Sequence, residues 1–264
     1  MTSVNLVELC RTVGLRADAA AIQSLLVHAA KAKYSPAQCV EQLCILEQRE
    51  REVANLQRRR TIATLGNPKP MDKFDWNHPR KVDRALFDRQ RETLDFMQSG
   101  HNMLLRGQPG VGKTTLAQYL GFRALERGHT VLFTSLSAAL GDLLRQESLP
   151  ATQRRLKRYT LPDLLILDEL GYCPCDSRAA DLLFNIISTR HEKRSTIITT
   201  NLSYKDWPSI FRDASCLGAL IDRFAQHCHT LDVDAESWRA VRARDTPAKR
   251  DGGPPVGRKT LKRS

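Results

Sequence analysis

Residues 103–117 read MLLRGQPGVGKTTLA, and this stretch decides the fold. A short apolar run comes first, the segment from Gly107 to Thr114 fits the pattern G-x-x-x-x-G-K-[ST], and a helix-forming run follows. Glycines let successive backbone N–H groups wrap around phosphates, which the start of the following helix also attracts. An ordinary glycine-rich turn needs neither the strand before it nor the helix behind it. The order of these parts therefore predicts a nucleotide-binding loop.

Each residue of this loop, and the one that follows it, is a candidate contact for ATP. The candidates are Gly107, Gln108, Pro109, Gly110, Val111, Gly112, Lys113, Thr114 and Thr115. Lys113 would place its cation on the β- and γ-phosphates, and the Thr114 hydroxyl would ligate Mg²⁺. The loop thus predicts ATP and Mg²⁺ as the cofactors.

Two acids follow a buried strand about 55 residues further on, where residues 164–169 read LLILDE. Such a strand delivers Asp168 to its carboxyl end, where α/β sheets bind ligands. Asp168 would hold Mg²⁺ directly or through water, and Glu169 would polarise the attacking water. On their own the two acids could simply end a strand at the surface. Beside the loop they point to hydrolysis of ATP rather than transfer to a specific acceptor.

A third polar group ends another apolar run, because residues 195–201 read STIITTN. Asn201 could hydrogen-bond the γ-phosphate or the attacking water, or it could only start a turn. The apolar runs predict strands at residues 103–106, 130–134, 164–167, 195–199 and 230–233. The runs are continuous and alternate with amphipathic helices, which indicates a parallel sheet covered on both faces.

The chain before this sheet reads as helical over residues 5–60, with Ser35 and Pro36 opening a long helix. That helix ends at Arg58, Arg59 and Arg60, which favour either a solvated helix or an arm that binds a nucleic-acid backbone. Residues 84–98 have helical spacing. The expected organisation is a helical N-terminal domain (1–62), a linker (63–84), an α/β domain (85–240) and a basic, disordered tail (241–264).

Charge and composition bound the function. The 264 residues contain 41 Lys and Arg against 29 Asp and Glu, so the net charge is +12, which favours a polyanionic partner such as nucleic acid. Neither a secretory signal nor an apolar run of membrane-spanning length is visible. Seven cysteines are scattered through the pattern, which fits a reducing cytoplasm better than a disulfide framework.

These motifs together resemble the IstB/DnaC-like family of AAA+ ATPases, in particular the IstB-type helper proteins of bacterial insertion sequences. The matching stretches are LLRGQPGVGKTTLA, LLILDELGYCPCD, LLFNIISTRHEKRSTIITTNLSYKDW and LIDRFAQHCHTLDVDAESWR. With the helical N-terminal region they cover most of residues 5–240, and the block from Leu164 to Trp207 is the most specific to the family. Thr115 departs from the histidine usual there, a change that should not harm phosphate binding.

The resemblance implies roles that spacing does not show. Arg223 in IDRF matches an arginine finger that reaches the nucleotide of a neighbouring subunit, and Arg239 in ESWR matches a sensor arginine acting within the subunit. Efficient hydrolysis would then need a homo-oligomer, a ring or spiral. An extra helix at residues 136–146 precedes a cluster that in relatives faces DNA, although it could equally be a solvated helix face. The cluster consists of Arg154, Arg155, Lys157 and Arg158.

The resemblance also implies a function, that of a transposition helper. Such a protein would assemble on double-stranded DNA with ATP, without strong sequence preference, present that target to a partner transposase, and disassemble on hydrolysis. A helicase loader is the main alternative, since it would use the same ATPase core. A small-molecule kinase is disfavoured by the adjacent Asp168 and Glu169 and by the candidate trans-acting Arg223. A DNA-binding scaffold with little ATP turnover is disfavoured by Glu169 and Arg223.

Overall fold

A parallel sheet of five strands forms the centre of the fold in the computed structural model, which describes residues 6–67, 71–76, 82–171 and 175–234. The strands are β1 (Asn102–Gly107), β2 (Val131–Ser135), β3 (Leu164–Leu170), β4 (Ser195–Thr200) and β5 (Cys228–Val233). Their order is β2-β3-β4-β1-β5, and each neighbouring pair is parallel. The predicted parallel α/β fold is therefore confirmed.

Four of the five strands, β1, β3, β4 and β5, are longer than the apolar pattern predicts. β3 continues to Leu170 instead of ending at Leu167, and β5 begins at Cys228 instead of Thr230. The apolar run marks only the part of a strand that is covered on both faces, whereas polar residues at its ends still pair with the neighbouring strand. In β3 the extension includes an irregularity between Leu167 and Leu170, which places an acid at the sheet edge.

Helices precede the sheet and connect its strands. They are α1 (Leu6–Thr12), α2 (Ala19–Ala32), α3 (Pro36–Ala63), α4 (Arg84–Thr93), α5 (Asp95–Gln98), α6 (Lys113–Glu126), α7 (Leu136–Leu144), α8 (Leu149–Thr160), α9 (Ser177–Arg190) and α10 (Leu217–Ala225). Within the described ranges, none of these helices is long and apolar enough to cross a membrane.

The two faces of the sheet bury separate apolar layers. In β3, Leu165 and Leu167 join the layer formed with α7, α9 and α10, while Leu164 and Ile166 join the layer formed with α6. Successive strand residues point to opposite faces, so a continuous apolar run supplies both layers at once. The sheet is thereby held rigidly between helices, and its carboxyl edge can carry polar groups at fixed positions.

The predicted start of the long N-terminal helix is confirmed. Ser35 caps α3 by accepting from the Gln38 backbone N–H, and the Gln38 side chain accepts from the Ser35 backbone N–H. Pro36 occupies the first turn, where its missing N–H leaves no helical bond unmade. The helix then runs to Ala63, a buried residue in the layer around α6.

One acid of α3 is buried, although its polar surroundings predict a solvated face. The Glu47 carboxylate accepts hydrogen bonds from the backbone N–H groups of Arg16 and Ala17, at 2.7 and 3.0 Å. The Arg51 side chain also donates to it, and this bond is the main reason that the pKa of Glu47 lies below its usual value. Glu47 therefore fastens the turn between α1 and α2 onto α3.

The expected linker is in part packed against the α/β domain. Leu65 is 2% exposed and lies in the layer around α6, against which Phe74 and Trp76 also pack. The proline and glycine content of this segment indicates irregular backbone, but it does not reveal that apolar side chains within the segment are buried. Residues 68–70 and 77–81 of this segment lie outside the described residues.

The helical spacing of residues 84–98 corresponds to two helices instead of one. Leu94 has a φ of 55°, in the left-handed region, and its N–H bonds the Gln90 carbonyl, which ends α4. The buried Gln90 side chain then accepts from the Phe96 N–H in α5. Leu94 is buried, and its packing offsets the cost of the left-handed backbone. An apolar residue gives no sign of such a backbone conformation in the sequence.

Candidate functional site

The loop from Gly107 to Thr114 connects β1 to α6 with the backbone that its glycines predict. Gly110 and Gly112 have φ angles of 82° and 97°, which side-chain-bearing residues adopt only with strain. Gly107 is required for a different reason, because a Cβ there would lie 2.1 Å from the Val233 carbonyl oxygen. The close approach of β5 therefore demands glycine at the base of the loop.

Lys113 lies near the end of this loop, where it begins α6, and it is 8% exposed. Its Nζ donates to the carbonyl oxygens of Gly107 and Gln108, at 2.7 and 2.9 Å. A buried ammonium is costly unless it is hydrogen-bonded, and the loop supplies those bonds. The loop thus holds a cation beside the helix N-terminus, where both attract a phosphate.

Asp168 lies next to this helix because β3 ends at the same sheet edge as β1. The Thr114 hydroxyl donates to its two carboxylate oxygens, at 3.0 and 3.1 Å. Asp168 is 6% exposed, and Thr114, the last residue of the loop, is partly exposed. Hydroxyl and carboxylate oxygens are the hard ligands that Mg²⁺ prefers, so these two side chains fit the metal ion.

Glu169 follows Asp168 directly and is exposed. Its φ is 63°, a left-handed value for a residue that has no intrinsic preference for it. The normal pairing of β3 with β4 is interrupted here and resumes at Leu170, which pairs with Thr200. This irregularity gives the two neighbouring acids different environments, since Asp168 is buried against the loop and Glu169 projects into solvent.

Two threonines of β4 belong to the site, and the sequence analysis missed them. Thr199 donates to Asp168 and accepts the Glu169 backbone N–H, while Thr200 donates to the Leu170 carbonyl oxygen. Both threonines are buried. Their signal was present, since consecutive hydroxyls at the end of an apolar strand must find partners when buried. Threonine, however, is also a common strand residue, so the pattern alone does not single them out.

Asn201 comes next and lies beside the chain that leaves β3. A Cβ on Gly171, two residues after Glu169, would be 2.9 Å from the Asn201 Oδ1 atom. That oxygen is buried and has no hydrogen-bond partner among the residues that the structure describes. A buried amide oxygen without a partner is rare, and a water molecule or ligand can supply the missing donor.

Arg223 lies on α10 and contacts α9. Its guanidinium donates to the Ser188 hydroxyl and stands over the Phe184 ring, 4.7 Å from the ring centre. Within the described part of the chain it makes no hydrogen bond to the loop or to Asp168 or Glu169. The structure therefore does not bring Arg223 to the nucleotide site of its own subunit. Arg239 lies outside the described residues, as does the tail from residue 241.

The basic cluster on α8 divides into two kinds of arginine and lysine. Arg155 forms a 2.6 Å ion pair with Asp142 of α7, and the Tyr159 hydroxyl donates to the same carboxylate. The Arg155 bond is the largest cause of the lowered pKa of Asp142. The remaining members are exposed: Arg154, Lys157 and Arg158.

The arginine triplet of α3 divides in a similar way. Arg59 donates to the Leu125 carbonyl oxygen at 3.3 Å, and Arg60 stands over the Phe122 ring at 5.6 Å. Both partners belong to α6, so these two arginines contact the α/β domain. Arg58 is exposed.

Comparison with known proteins places this geometry in a family context. The family model described as IstB-like ATP binding protein matches residues 9–246. An insertion sequence IS21 protein of Pseudomonas aeruginosa, named for ATP binding, is 35% identical over 221 residues, or 83% of this chain and 82% of that protein. A similarly named IS232 protein of Bacillus thuringiensis subsp. berliner is 35% identical over 172 residues, or 65% of this chain and 68% of that protein.

A solved structure supports the fold. The crystal structure of DnaI is similar with a TM-score of 0.52 and 19% identity, over 67% of this chain and 92% of that chain. A likeness at this identity concerns the architecture alone. The expected AAA+ P-loop architecture, with helices on both faces of a parallel sheet and a helical N-terminal region, is confirmed.

Proposed function

The chain belongs to the family of IstB-like ATP-binding proteins, and from that premise we propose that it hydrolyses ATP, assembles on double-stranded DNA and assists a partner transposase. The observation that carries the hydrolysis is the sheet edge, where β3 holds Asp168 against Thr114 of the loop and exposes Glu169 directly beside it. A protein that only bound nucleotide would need the loop but would have no use for a second, exposed acid beside the first.

Each group at this edge has a role in the proposed reaction. Lys113 and the α6 N-terminus bind the phosphates, and Thr114 and Asp168 hold Mg²⁺, which when bound neutralises charge on the phosphate oxygens. The Glu169 carboxylate accepts a proton from the attacking water, and the Asn201 amide oxygen accepts a hydrogen bond from the same water. The water oxygen bonds to the γ-phosphorus as the bond to the β-phosphate oxygen breaks, so ADP and phosphate leave.

The proposed oligomer follows from Arg223. Its partners, Ser188 and Phe184, lie on α9, away from the loop of its own subunit, yet the side chain is only half-buried. A cation held on such a face can reach the nucleotide of a neighbouring subunit, where it would stabilise the charge of the transition state. ATP then lies between subunits and orders them into a ring or spiral. Arg239 stays a prediction for the contact within the subunit.

The proposed DNA contact uses phosphates. A net charge of +12 supplies the attraction, and the exposed cations of α8 supply a surface. Contacts to phosphates carry no sequence information, so we expect weak sequence preference and a steep dependence on salt. The partner transposase is proposed because the most similar relatives named above belong to insertion sequences.

Sedimentation of the purified protein tests the proposal. We expect assembly that requires both ATP and a non-specific duplex of about 50 base pairs and that decreases as salt rises, because phosphate contacts release counterions. Lys113→Ala should abolish ATP binding and assembly together, while Lys205→Ala, at an exposed lysine, should assemble normally. A protein that remains monomeric under all conditions would refute the proposed assembly, and normal assembly of Lys113→Ala would refute its coupling to ATP.

A further inference from the structure

β4 ends in Thr199 and Thr200 and is followed directly by Asn201, so that three polar residues in a row lie beside the two acids of β3. The sequence pattern predicted a role only for Asn201. The structure gives the first threonine an unusual set of partners, because its one hydroxyl bonds both acids.

Thr199 is 1% exposed, and its hydroxyl both donates and accepts a hydrogen bond. The hydroxyl donates its proton to Asp168 Oδ1 and accepts the Glu169 backbone N–H at 3.0 Å. A hydroxyl has one proton to donate, so the Asp168 bond commits it. Other threonines of the chain, such as Thr61 and Thr189, bond a carbonyl oxygen four residues earlier in their own helix. Thr199 therefore does more than satisfy a buried hydroxyl.

The carboxylate of Asp168 is held from two sides. Thr114 donates to it from α6, and Thr199 donates to it from β4. When Thr114 binds Mg²⁺ through its oxygen, its proton can still point at Asp168, whereas Thr199 ties that carboxylate to β4. Removal of the Thr199 hydroxyl would leave the Asp168 carboxylate held from α6 alone, by Thr114.

The backbone of Glu169 is held by the same strand. Its left-handed φ of 63° costs energy, so the surrounding bonds must fix it. Thr199 accepts its N–H, and Thr200 donates to the carbonyl oxygen of Leu170 at 2.7 Å. These two bonds clamp the irregular part of β3 against β4, and they determine where the Glu169 side chain leaves the sheet.

We infer that Thr199 is a positioning residue for ATP hydrolysis, whose hydroxyl holds the Mg²⁺-binding carboxylate of Asp168 and the backbone of Glu169 in one arrangement. The inference rests on the proposed ATPase function and assigns a residue to it. This role requires no contact between Thr199 and the nucleotide or the attacking water. Thr199 acts through the two acids, and it fixes their position relative to Asn201, which follows two positions further along the chain.

Three variants test this role. Thr199→Val keeps the shape and removes the hydroxyl, and Thr199→Ser restores the hydroxyl without the methyl group. The matched control is Thr196→Val, because Thr196 is equally buried on β4 but its hydroxyl accepts from Arg190 Nε, at the opposite end of the strand. If the valine variant of Thr199 does not fold, Thr199→Cys, whose thiol is a weak donor and acceptor, replaces it.

Two readouts separate positioning from general stability. For Thr199→Val, ATP binding in EDTA should stay within about twofold of wild type. The Mg²⁺ concentration that half-saturates ATP binding should rise about tenfold, which is the change expected for one lost bond to a charged group. The maximal turnover should also fall about tenfold or more, because the Asp168 carboxylate and the Glu169 backbone both lose a hydrogen bond. Thr199→Ser should return both values to within about threefold of wild type if one hydrogen bond carries the effect.

The outcomes are distinct. Wild-type Mg²⁺ dependence and turnover in Thr199→Val would overturn the inference, as would equal losses in Thr196→Val. A wild-type protein that binds ATP with Mg²⁺ but never hydrolyses it would refute the proposed ATPase function. In that case the Mg²⁺ titration of ATP binding would still support or overturn the hold of Thr199 on Asp168.

Discussion

The carboxyl edge of the sheet and the exposed face of α8 are both rich in polar groups, but they are built in opposite ways. At the edge, Lys113 and Asp168 are almost fully buried and bonded within the chain. On α8, Arg154 and Lys157 are exposed, and their side chains make no hydrogen bond or ion pair with the residues that the structure describes. The first region is arranged before any ligand binds, whereas the exposed cations of the second region remain available to an external partner.

This difference follows from desolvation. A buried charge must be hydrogen-bonded inside the protein, so its geometry is fixed when the chain folds. An exposed cation stays hydrated and mobile until a polyanion displaces the water and counterions. We therefore expect changes at the edge to alter turnover, and changes on α8 to alter DNA affinity and its dependence on salt.

The largest expected effect is that of Glu169→Gln, which tests whether Glu169 at the sheet edge is needed for ATP hydrolysis. The amide cannot accept the proton of water, so turnover should fall about 100-fold or more, the usual share of a general base. ATP binding and assembly should persist, so the variant should stay trapped on DNA. Phosphate release and the rate of disassembly after ATP addition measure the two effects.

A matched control exists for this variant. Glu192 is also an exposed glutamate with a left-handed φ, 57°, but it precedes β4 at the opposite end of the strand. Glu192→Gln should hydrolyse ATP like wild type. Rapid disassembly of Glu169→Gln with ATP would reject the role assigned to Glu169.

The next largest effect is that of Arg223→Ala, which tests whether the sheet edge of one subunit is sufficient for ATP hydrolysis. If a neighbour supplies this cation, the variant should bind ATP but hydrolyse it at least about tenfold more slowly, since trans-acting arginines contribute much of the transition-state stabilisation. Mixing it with Lys113→Ala subunits should restore part of the activity, because mixed interfaces pair an intact loop with an intact arginine. Steady-state phosphate release against the mixing ratio measures this.

The control for Arg223 concerns its contact with α9. Ser188→Ala removes the hydroxyl that the guanidinium bonds and leaves the cation in place. It should hydrolyse ATP at nearly the wild-type rate. Failure of the mixture to restore activity, with both variants folded and co-assembled, would count against the finger assignment.

The same contrast explains how much the sequence could predict. The loop and the strands were predicted because glycine spacing and apolar runs are local patterns. The roles of Thr199 and Thr200 depend on which strand lies beside β3, and strand order is not local. Leu94 and Glu169 adopt left-handed backbone because of their surroundings, and no residue preference signals it.

A moderate effect is expected on α8, where two adjacent arginines form a matched pair. Arg154 is exposed, whereas Arg155 is paired with Asp142. Arg154→Ala should weaken DNA binding several-fold and lower the slope of log affinity against log salt by about 0.9, the value for one phosphate contact. Arg155→Ala should leave that slope unchanged, because its charge is already committed within the chain. Fluorescence anisotropy with a labelled duplex at several salt concentrations gives both slopes.

The outcome of this pair decides whether the contrast between bonded and exposed cations extends to α8. Equal slopes for both variants and for wild type would remove α8 from the DNA surface. A lower slope for Arg155→Ala alone would reverse the assignment and show that DNA displaces Asp142 from its arginine. Circular dichroism of each variant confirms that α8 still forms.

The smallest expected effect concerns Asp142, which anchors Arg155. The arginine and then the Tyr159 hydroxyl hold the pKa of Asp142 below its usual value near 3.8, so the ionised carboxylate is favoured in the folded state. A group with a lowered folded pKa stabilises the protein above its unfolded pKa and loses that contribution as pH falls through the folded value. Asp142→Asn should therefore lower the free energy of unfolding by up to about 1 kcal/mol at pH 7, typical of a partly exposed ion pair.

That difference between wild type and Asp142→Asn should shrink as pH falls below about 4, the unfolded pKa of aspartate, because the wild-type carboxyl then also becomes neutral. Urea denaturation at pH 7, 5 and, where the protein still folds, below 4 measures the trend. A difference that stays constant across this range would mean that the carboxylate charge contributes nothing and that Asp142 acts only through shape. Arg155 would then be held by packing, and its distinction from Arg154 would rest on accessibility instead of charge.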